Sequence, residues 1–379
     1  MHIKMIYDRL QRLNIDAAIF HHPAELVAIL NYLPHWNGSI LVVKTSEEWR
    51  LFVPDNEPMI VCIPSNRIEI YPWASAKTDP WQGVIARLVS YIGLNKKFTL
   101  NNSLAMSSPS SNSGDGTLLS FEFFRNLANS GIEFIDSQST LSEIFLYKDP
   151  CQILALKHAH VVIQKAIKSF FQDGTGKYDS EIAANVEYEI TRLVGQEGIK
   201  YAKGFASVQS GSETLNAGTF NRTSGRKIEK GDWVFLELGA CIDGYWVDLT
   251  RTTVAGEPTC KQIEYFNIVK KAVNESVNAV KSGISCEEIY SKAQNVFVEA
   301  ELNELFTHSL GHGTGFLYHE PFPSIMKGNK FLLPTGSVIT IEPGLYGQEI
   351  GGGIRIEENI LVTETGYEYL SLPQKSIKG

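Results

Sequence analysis

Hydrophobic and polar positions alternate with two different periods over residues 1–148, which predicts both helices and strands. Apolar residues at helical spacing predict an amphipathic helix over residues 5–13. Short apolar runs predict strands at residues 17–20, 39–43 and 49–53, and Pro54-Asp55-Asn56 predicts the turn that follows them. This alternation of helices and strands indicates an α/β domain.

A long helix is predicted to begin next, because Asp149 suits an N-cap and Pro150 suits the first helical position. His160 lies on the apolar stripe of this helix, where it is either a ligand or a core residue. We interpret it as a hydrogen-bonded core histidine. The helix start divides the chain into an α/β domain over residues 1–148 and a second domain over residues 149–379.

Start signals for three further helices follow in the second domain. Asp179 opens one, and Thr259-x-x-Gln262 and Ser285-x-x-Glu288 are capping-box patterns that open the others. Helices around antiparallel hairpins predict an α+β domain. Four strands are predicted from apolar and alternating runs, at residues 233–241, 245–254, 337–342 and 353–362.

Two acidic residues converge on one face of the first predicted hairpin. Asp243-Gly244 is a strong signal for a two-residue turn, and a turn there places Gly239 opposite Asp248. Glu237 then lies on the same face as Asp248, as its diagonal neighbour roughly 7–8 Å away. The glycine leaves an open volume between the carboxylates, and the apolar residues around them imply that they need a compensating charge.

Further acidic residues and three histidines follow towards the C-terminal end. Glu342 ends an apolar run, while Arg355 and Glu357 alternate with isoleucines and therefore share one face of a strand. Three of the nine histidines are close together in the sequence, and glycines beside the middle one allow close approach to it. These histidines are His308, His312 and His319.

One imidazole and four carboxylates make a chemically consistent set of metal ligands. Nitrogen and carboxylate oxygen together suit Mn, Fe, Co or Zn, and they suit Ca or Mg poorly. Two divalent ions would neutralise four carboxylates, and such a pair can activate a water while polarising a carbonyl. The predicted ligands are Glu237, Asp248, His312, Glu342 and Glu357.

Composition and charge disfavour some classes of protein, among them nucleic-acid-binding and membrane proteins. The hydrophobic share of 43% and the charged share of 20% are typical of a globular protein, and residues 101–120, rich in Ser, Asn and Gly, predict a mobile loop. A formal charge of −8 disfavours nucleic acid as a partner. The five cysteines are scattered, and no apolar run approaches the ~20 residues of a membrane helix. We therefore expect a cytoplasmic protein with no membrane partner.

Four motifs in the second domain point to a known family. They read Val-Phe-Leu-Glu-Leu-Gly with Asp-Gly-Tyr-Trp-Val-Asp-Leu-Thr-Arg-Thr, Gly-His-Gly-Thr-Gly with His-Glu-Pro, Ile-Glu-Pro-Gly-Leu-Tyr, and Gly-Ile-Arg-Ile-Glu-Glu-Asn. Together with Tyr-Lys-Asp-Pro-Cys-Gln-Ile, they resemble the creatinase/aminopeptidase P/prolidase group, the pita-bread metallopeptidases of family M24. The resemblance implies an α+β pita-bread catalytic domain after a creatinase-type, ribonuclease-H-like α/β domain, and it implies a homodimer.

Carried over position by position, the resemblance gives roles to the candidate residues. His308 and His319 correspond to pocket histidines that orient or protonate the substrate, and Arg355 corresponds to an arginine beside the last glutamate ligand. Glu237 occupies a ligand position at which the family usually has aspartate. The remaining positions that match metal ligands are Asp248, His312, Glu342 and Glu357.

Two positions depart from the family pattern. Glu237 is one methylene longer than aspartate, which shifts its carboxylate by over roughly an ångström, whereas metal–oxygen bonds tolerate ~0.2 Å. Many members carry a histidine upstream of the first ligand, and none lies between Lys200 and Glu237 here. The longer side chain at position 237 affects how firmly a second metal ion would be held. The absent histidine affects recognition of Xaa-Pro peptides.

The resemblance implies a metal-dependent aminopeptidase or dipeptidase that cleaves short peptides, with Xaa-Pro as a candidate specificity. A hydroxide bridging two metal ions would attack the scissile carbonyl, Glu342 would shuttle a proton, and His308 and His319 would stabilise the oxyanion. Two alternatives remain open: amidinohydrolase or lyase chemistry on the same fold, and a non-catalytic binding module. Retention of the ligand set favours the metallopeptidase.

Overall fold

The computed structural model describes residues 2–35, 38–46, 48–58, 60, 62–77, 79–100, 121–135, 142–217 and 222–379. The loop predicted over residues 101–120 lies outside the described residues. By its internal contacts, the chain divides into two compact units, Met1–Phe145 and Leu146–Gly379. This division lies close to the one predicted after residue 148.

The first unit is an α/β layer on a mixed sheet, in which β1 runs antiparallel to β2 and parallel to β5. The predicted helix and strands here are confirmed, and each begins or ends within three residues of its predicted bounds. The sheet order is β4-β3-β2-β1-β5-β6. The strands are β1 Ala17–Phe20, β2 Ile40–Lys44, β3 Trp49–Pro54, β4 Ile68–Tyr71, β5 Lys97–Leu100 and β6 Glu133–Phe134, and the helices are α1 His2–Leu13, α2 Pro23–Leu30, α3 Pro80–Ile92 and α4 Phe121–Asn129.

The helices of the second unit begin where the capping signals predict. Asp149 caps the first of them through a capping box, and Thr259 and Ser285 do the same for the last two. The long helix predicted from Pro150 is two helices that meet at Ile163, where the Gln164 side chain donates to the His160 carbonyl at 2.8 Å. The helices are α5 Pro150–Val162, α6 Gln164–Phe170, α7 Asp179–Thr191, α8 Cys260–Ala279 and α9 Cys286–Glu299.

The strands of the second unit form three antiparallel sheets among the described residues, with orders β7-β8-β9, β11-β10-β12-β15-β16 and β13-β14. The single strand predicted over residues 353–362 is wrong. The Glu357 N–H donates to the Thr250 carbonyl at 3.2 Å, so the chain leaves one sheet before it joins the next. The strands are β7 Ala202–Ser210, β8 Trp233–Ile242, β9 Tyr245–Val254, β10 Gly311–Gly313, β11 Glu320–Ile325, β12 Val338–Ile341, β13 Gly344–Gly347, β14 Gly352–Arg355, β15 Glu358–Val362 and β16 Tyr367–Tyr369.

The two larger hydrophobic cores among the described residues of the second unit flank its sheets. One packs α5, α6 and α7 against the face of β8 and β9 that carries Leu236, Leu238 and Val247. The other packs α8 and α9 against β12, β14 and β15. Because side chains alternate along a strand, Glu237 and Asp248 lie on the face of β8 and β9 opposite the first core.

His160 lies in the first of these cores. It is 1% exposed, which confirms its predicted core position. The ring interacts with the Asn359 side chain, although neither ring nitrogen has full hydrogen-bond geometry with a described residue. Burial, with the nearby charge of Arg251, lowers the pKa of His160 to about 3.

Candidate metal centre

The β8–β9 hairpin has the predicted register, with Gly239 paired to Asp248 and Glu237 paired to Thr250. Both turn residues have positive φ, 50° and 92°, as a type I′ turn requires. The open volume predicted beside Gly239 is wrong. A Cβ built on this glycine would lie 2.9 Å from the Tyr318 ring, so the ring fills the space that the missing side chain leaves.

His312 lies on β10, where the backbones of neighbouring strands come too close for a side chain at the preceding residue. A Cβ on Gly311 would lie 2.0 Å from the Thr340 carbonyl oxygen. The His312 N–H donates to Thr340 Oγ1 at 3.0 Å, and its ring Nδ1 contacts the Gly313 carbonyl at 2.9 Å. Because a carbonyl oxygen accepts, Nδ1 carries a proton, and Nε2 is the ring atom that faces the acidic residues.

The five residues predicted as metal ligands come together in the second unit. Potential ligand atoms of Glu237, Asp248 and Glu357 lie within 4.8 Å of one another, and those of His312, Glu342 and Glu357 do the same. Glu357 belongs to both groups. The arrangement is therefore two adjoining groups of potential ligands that share one carboxylate.

Several buried ligand atoms in this cluster have no hydrogen-bond partner among the described residues. They are both carboxylate oxygens of Asp248, Oε1 of Glu357 and Nε2 of His312. Asp248 Oδ2 lies 3.3 Å from His312 Nε2, but without full hydrogen-bond geometry, and incomplete compensation of a buried charge costs free energy. These atoms consequently fit a cation site, and their nitrogen and oxygen chemistry suits a divalent transition metal.

The charged groups of the cluster shift one another's protonation strongly. Burial and the negative charges of Asp248 and Glu342 raise the pKa of Glu357 well above its usual value. Burial also opposes ionisation of Asp248, but His312 and His319 lower its pKa to about 2. Burial alone would lower the pKa of His312, yet Asp248 Oδ2 and Glu342 Oε1, each 3.3 Å from its Nε2, raise it. The metal-free cluster therefore takes up protons to offset its carboxylates.

Glu237 differs from the other carboxylates because donors reach both of its oxygens. Arg355 Nη2 and Thr250 Oγ1 each lie 2.5 Å from Oε2, and the Tyr318 hydroxyl donates to Oε1. Arg355 Nε also donates to Thr250 Oγ1 at 2.9 Å and lies 3.6 Å from Glu342 Oε2. The structure thus brings the predicted Arg355 into direct contact with the predicted ligands.

His319 also lies against the cluster. Its Nε2 is 3.4 Å from Asp248 Oδ2, and its ring centroid is 3.9 Å from that of His312. Ligand atoms of these three residues form a third group within 4.8 Å. The His319 ring stacks on Tyr318 with centroids 4.5 Å apart, which fixes the plane of the imidazole.

His308 lies nearby, on the side of Arg355 and Tyr346. Its ring meets Tyr346 edge-on at 5.5 Å, and Tyr346 accepts from Arg355 Nη1 at 3.1 Å. His308 Nδ1 contacts the Ser309 carbonyl at 2.7 Å, and no described residue contacts its buried Nε2 with hydrogen-bond geometry. Burial lowers the pKa of His308 to about 4, so the ring is neutral at pH 7, with its proton on Nδ1.

Sequence reasoning missed three residues of the site: Thr250, Tyr318 and Tyr346. Thr250 had a signal, because the register set by the Asp243-Gly244 turn places it opposite Glu237. Tyr318 lies between the short strands β10 and β11, where no periodicity indicates the direction of a side chain. Its contact with Glu237 therefore requires the three-dimensional structure.

A second group of missed residues supports the backbone around the cluster. Asn359 Nδ2 donates to the Asp248 carbonyl at 2.6 Å, and Arg251 Nη1 donates to the Glu357 carbonyl at 2.5 Å. Lys148 and Glu320 form a fully buried ion pair next to His319, with Nζ 2.7 Å from Oε2. Each of these contacts joins a strand or loop that carries a candidate ligand to another element, and so restricts its position.

A buried cluster of carboxylates and imidazole on this fold defines a metal-dependent hydrolase. Residues 154–364 match metallopeptidase family M24. The chain belongs to this family and is a metallopeptidase with the predicted pita-bread fold.

Three relatives illustrate the similarity. An Xaa-Pro dipeptidase from Pyrococcus horikoshii is 35% identical over 250 residues, which are 65% of this chain and 68% of that protein. An uncharacterized peptidase from Staphylococcus saprophyticus is 29% identical over 98% of this chain and 99% of its own length. The solved prolidase structure from Pyrococcus horikoshii matches 99% of both chains with a TM-score of 0.79 and 27% identity.

Among the described residues, no helix is long and apolar enough to cross a membrane.

Proposed function

We propose that the chain is a two-metal peptidase that cleaves short peptides, with Xaa-Pro dipeptides as its main substrates. The supporting observation is the convergence of buried, unpartnered ligand atoms from Asp248, His312 and Glu357. The relatives called Xaa-Pro dipeptidase, from Pyrococcus horikoshii and Lactobacillus helveticus, support the substrate class. The predicted metal identities, Mn, Co, Zn or Fe, follow from the nitrogen and oxygen donors.

Two overlapping groups of residues would hold the ions. One ion would lie among His312, Glu342 and Glu357, and the other among Glu237, Asp248 and Glu357. When bound, the ions would polarise the scissile carbonyl and lower the pKa of a water. The described protein residues then have to bind the peptide, orient it and move protons.

Glu342 is the proposed proton shuttle. Its carboxylate lies 3.3 Å from His312 and 3.6 Å from Arg355, and these positive neighbours lower its pKa although burial raises it. A carboxylate in this position can accept a proton from water and pass it to the nitrogen of the leaving amine. Arg355 lies beside both Glu342 and Glu237 and restricts their movement.

Different hydrogen-bond contacts support different proposed roles for the two pocket histidines. His308 uses its Nδ1 proton on the Ser309 carbonyl, so its Nε2 can accept a hydrogen bond but cannot donate one while the ring is neutral. We therefore assign it to hold a substrate N–H instead of the oxyanion. His319, which contacts Asp248 and is partly exposed, is the proposed donor to the developing oxyanion.

A cytoplasmic homodimer is the proposed state of the protein. The family resemblance supports the dimer, and free cysteines, five in the described part of the chain, suit a reducing compartment. Light scattering of the purified chain tests the first statement, since a dimer has about twice the mass of 42.2 kDa. Cell fractionation tests the second.

The reaction is tested with full-length protein that has been stripped with chelator and reloaded with Mn²⁺, Co²⁺, Zn²⁺ or Fe²⁺. Xaa-Pro dipeptides, Xaa-Pro-Xaa tripeptides and matched Xaa-Ala peptides are assayed in parallel, with Asp248→Asn as the control. We expect metal-dependent cleavage that is strongest for an Xaa-Pro dipeptide. Equal cleavage of Xaa-Ala would contradict the substrate class, and turnover without metal would favour the amidinohydrolase-like alternative.

A further inference from the structure

Tyr318 makes a contact that neither the motifs nor the proposed reaction requires. Its hydroxyl donates to Oε1 of Glu237, and the side chain is almost fully buried. The ring reaches this place because it lies on Gly239, where any Cβ would come within 2.9 Å of it. Gly239, Tyr318 and Glu237 therefore form one packed unit.

The Glu237 carboxylate is held from two sides. Thr250 and Arg355 contact Oε2, each at 2.5 Å, while Tyr318 is the donor to Oε1 among the described residues. Removing the tyrosine hydroxyl would leave one oxygen of a buried carboxylate without a protein donor. Thr250 and Arg355 would then still hold Oε2, but no hydrogen bond from Tyr318 would fix the position of Oε1.

Glu237 depends on such restraint more than Asp248 does. A glutamate has one more rotatable bond than an aspartate, so a backbone position determines its carboxylate less closely. Asp248 lies on the same sheet face with a shorter side chain, and its Oδ2 contacts the His312 and His319 rings at 3.3 Å and 3.4 Å without a hydroxyl donor among the described residues. The longer ligand is the one that hydroxyl donors hold on both sides.

We propose that Tyr318 is a positioning residue that holds Glu237 as a ligand of the second metal ion, the one between Glu237, Asp248 and Glu357. This inference rests on the two-ion site of the proposed function. An aspartate at position 237 would withdraw the carboxylate by over roughly an ångström, beyond the reach of a hydrogen bond from Tyr318. The tyrosine and the glutamate therefore act as a pair.

The test is isothermal titration of metal-free protein with Mn²⁺, together with elemental analysis of the metal content after gel filtration. Tyr318→Phe, Glu237→Asp and the double variant are compared with the wild type. Tyr245→Phe, which removes the hydroxyl of another buried tyrosine on β9, is the matched control. We expect Tyr318→Phe to weaken the second Mn²⁺ about 10–100-fold, the usual effect of losing a partner of a metal ligand, and to leave the first within twofold.

The double variant distinguishes positioning from general destabilisation. We expect Tyr318→Phe to change the second Mn²⁺ affinity less than twofold when Glu237→Asp is already present. An equal loss in both backgrounds, an unchanged second affinity, or wild-type protein that binds one Mn²⁺ would overturn the proposal. Two bound Mn²⁺ with the expected pattern and no cleavage of any peptide would support it while contradicting the proposed reaction.

Discussion

Lys148 and Glu320 form an ion pair that is completely buried, with Nζ 2.7 Å and 2.9 Å from the two carboxylate oxygens. Lys148 immediately precedes the cap of α5, and Glu320 follows His319 at the start of β11. Phe316 N–H also donates to Glu320 at 2.9 Å. The pair thus connects the beginning of the second unit to the loop that carries Tyr318 and His319.

Breaking this pair on one side is expected to destabilise the protein strongly. Lys148→Met would leave Glu320 buried without its counter-charge and should lower the free energy of unfolding by about 3–5 kcal/mol, whereas Lys148→Met with Glu320→Leu should recover part of that loss. Urea unfolding of the metal-free protein measures both. Lys271→Met, which removes an exposed ion pair with Glu299, is the control and should cost about 0–1 kcal/mol. Equal losses for the buried and exposed pairs would contradict this account.

His160 should make the stability of the second unit depend on pH. Its folded pKa is about 3, against 6.5 for an ordinary histidine, so the unfolded chain binds a proton that the folded chain excludes. The free energy of unfolding should therefore fall as the pH drops from 6.5 towards 3, by up to about 1.4 kcal/mol per pH unit from this residue.

His160→Leu should remove that part of the pH dependence. The measurement is urea unfolding of metal-free wild type and variant across this pH range, with His158→Leu as the control because His158 lies exposed on the same helix. The wild type and His160→Leu share every other histidine, so the contribution of those residues cancels between the two. Identical slopes for wild type and His160→Leu would show that the buried ring does not exclude its proton.

Divalent metal should stabilise the folded chain through the buried carboxylates of the cluster. A ligand that binds the folded state adds about 2.7 kcal/mol at a concentration of 100 times its Kd. Thermal unfolding with and without Mn²⁺ should show this increase for the wild type and a much smaller one for Glu357→Gln, since Glu357 belongs to both ligand groups. In metal-free protein the same substitution should be neutral or stabilising, because burial and the neighbouring carboxylates oppose ionisation of Glu357 and a neutral amide avoids that cost. A full Mn²⁺ effect on Glu357→Gln would contradict the shared position of this residue.

Gly311 should be sensitive to the smallest substitution. A Cβ there would lie 2.0 Å from a carbonyl oxygen of Thr340, and a backbone atom cannot move aside as a flexible side chain can. Gly311→Ala should lower the free energy of unfolding by about 1–3 kcal/mol and displace His312. Gly366→Ala, where nothing lies within 4 Å of the added Cβ, is the matched control for urea unfolding and should be near neutral. Similar stability of the two variants would contradict the close approach of β10 and β12.

Much of the site could be predicted because its geometry is set by local signals. The Asp243-Gly244 turn determines the β8–β9 register, and side-chain alternation then places Glu237 and Asp248 on one face. Capping boxes at Thr259 and Ser285 determine where α8 and α9 begin. Such features depend on residues close together in the sequence.

The parts that were not predicted depend on contacts between distant segments. Glu357 leaves its strand because its N–H pairs with Thr250, more than one hundred residues earlier, and the local alternation does not show this. Tyr318 fills the volume beside Gly239 from a loop without periodicity. The sequence therefore indicates which residues come together in the candidate site, but it does not indicate how the carboxylates are held.

The most direct measurement for the two-metal assignment is an anomalous difference map from crystals of Mn²⁺-loaded protein, collected for the wild type and for Asp248→Asn. We expect two peaks in the wild type, one beside His312 and Glu342 and one beside Glu237 and Asp248, both adjacent to Glu357. Asp248→Asn should lose or weaken the second peak. Protein that cleaves peptides in a Mn²⁺-dependent way but has no anomalous peak at this cluster would contradict the account.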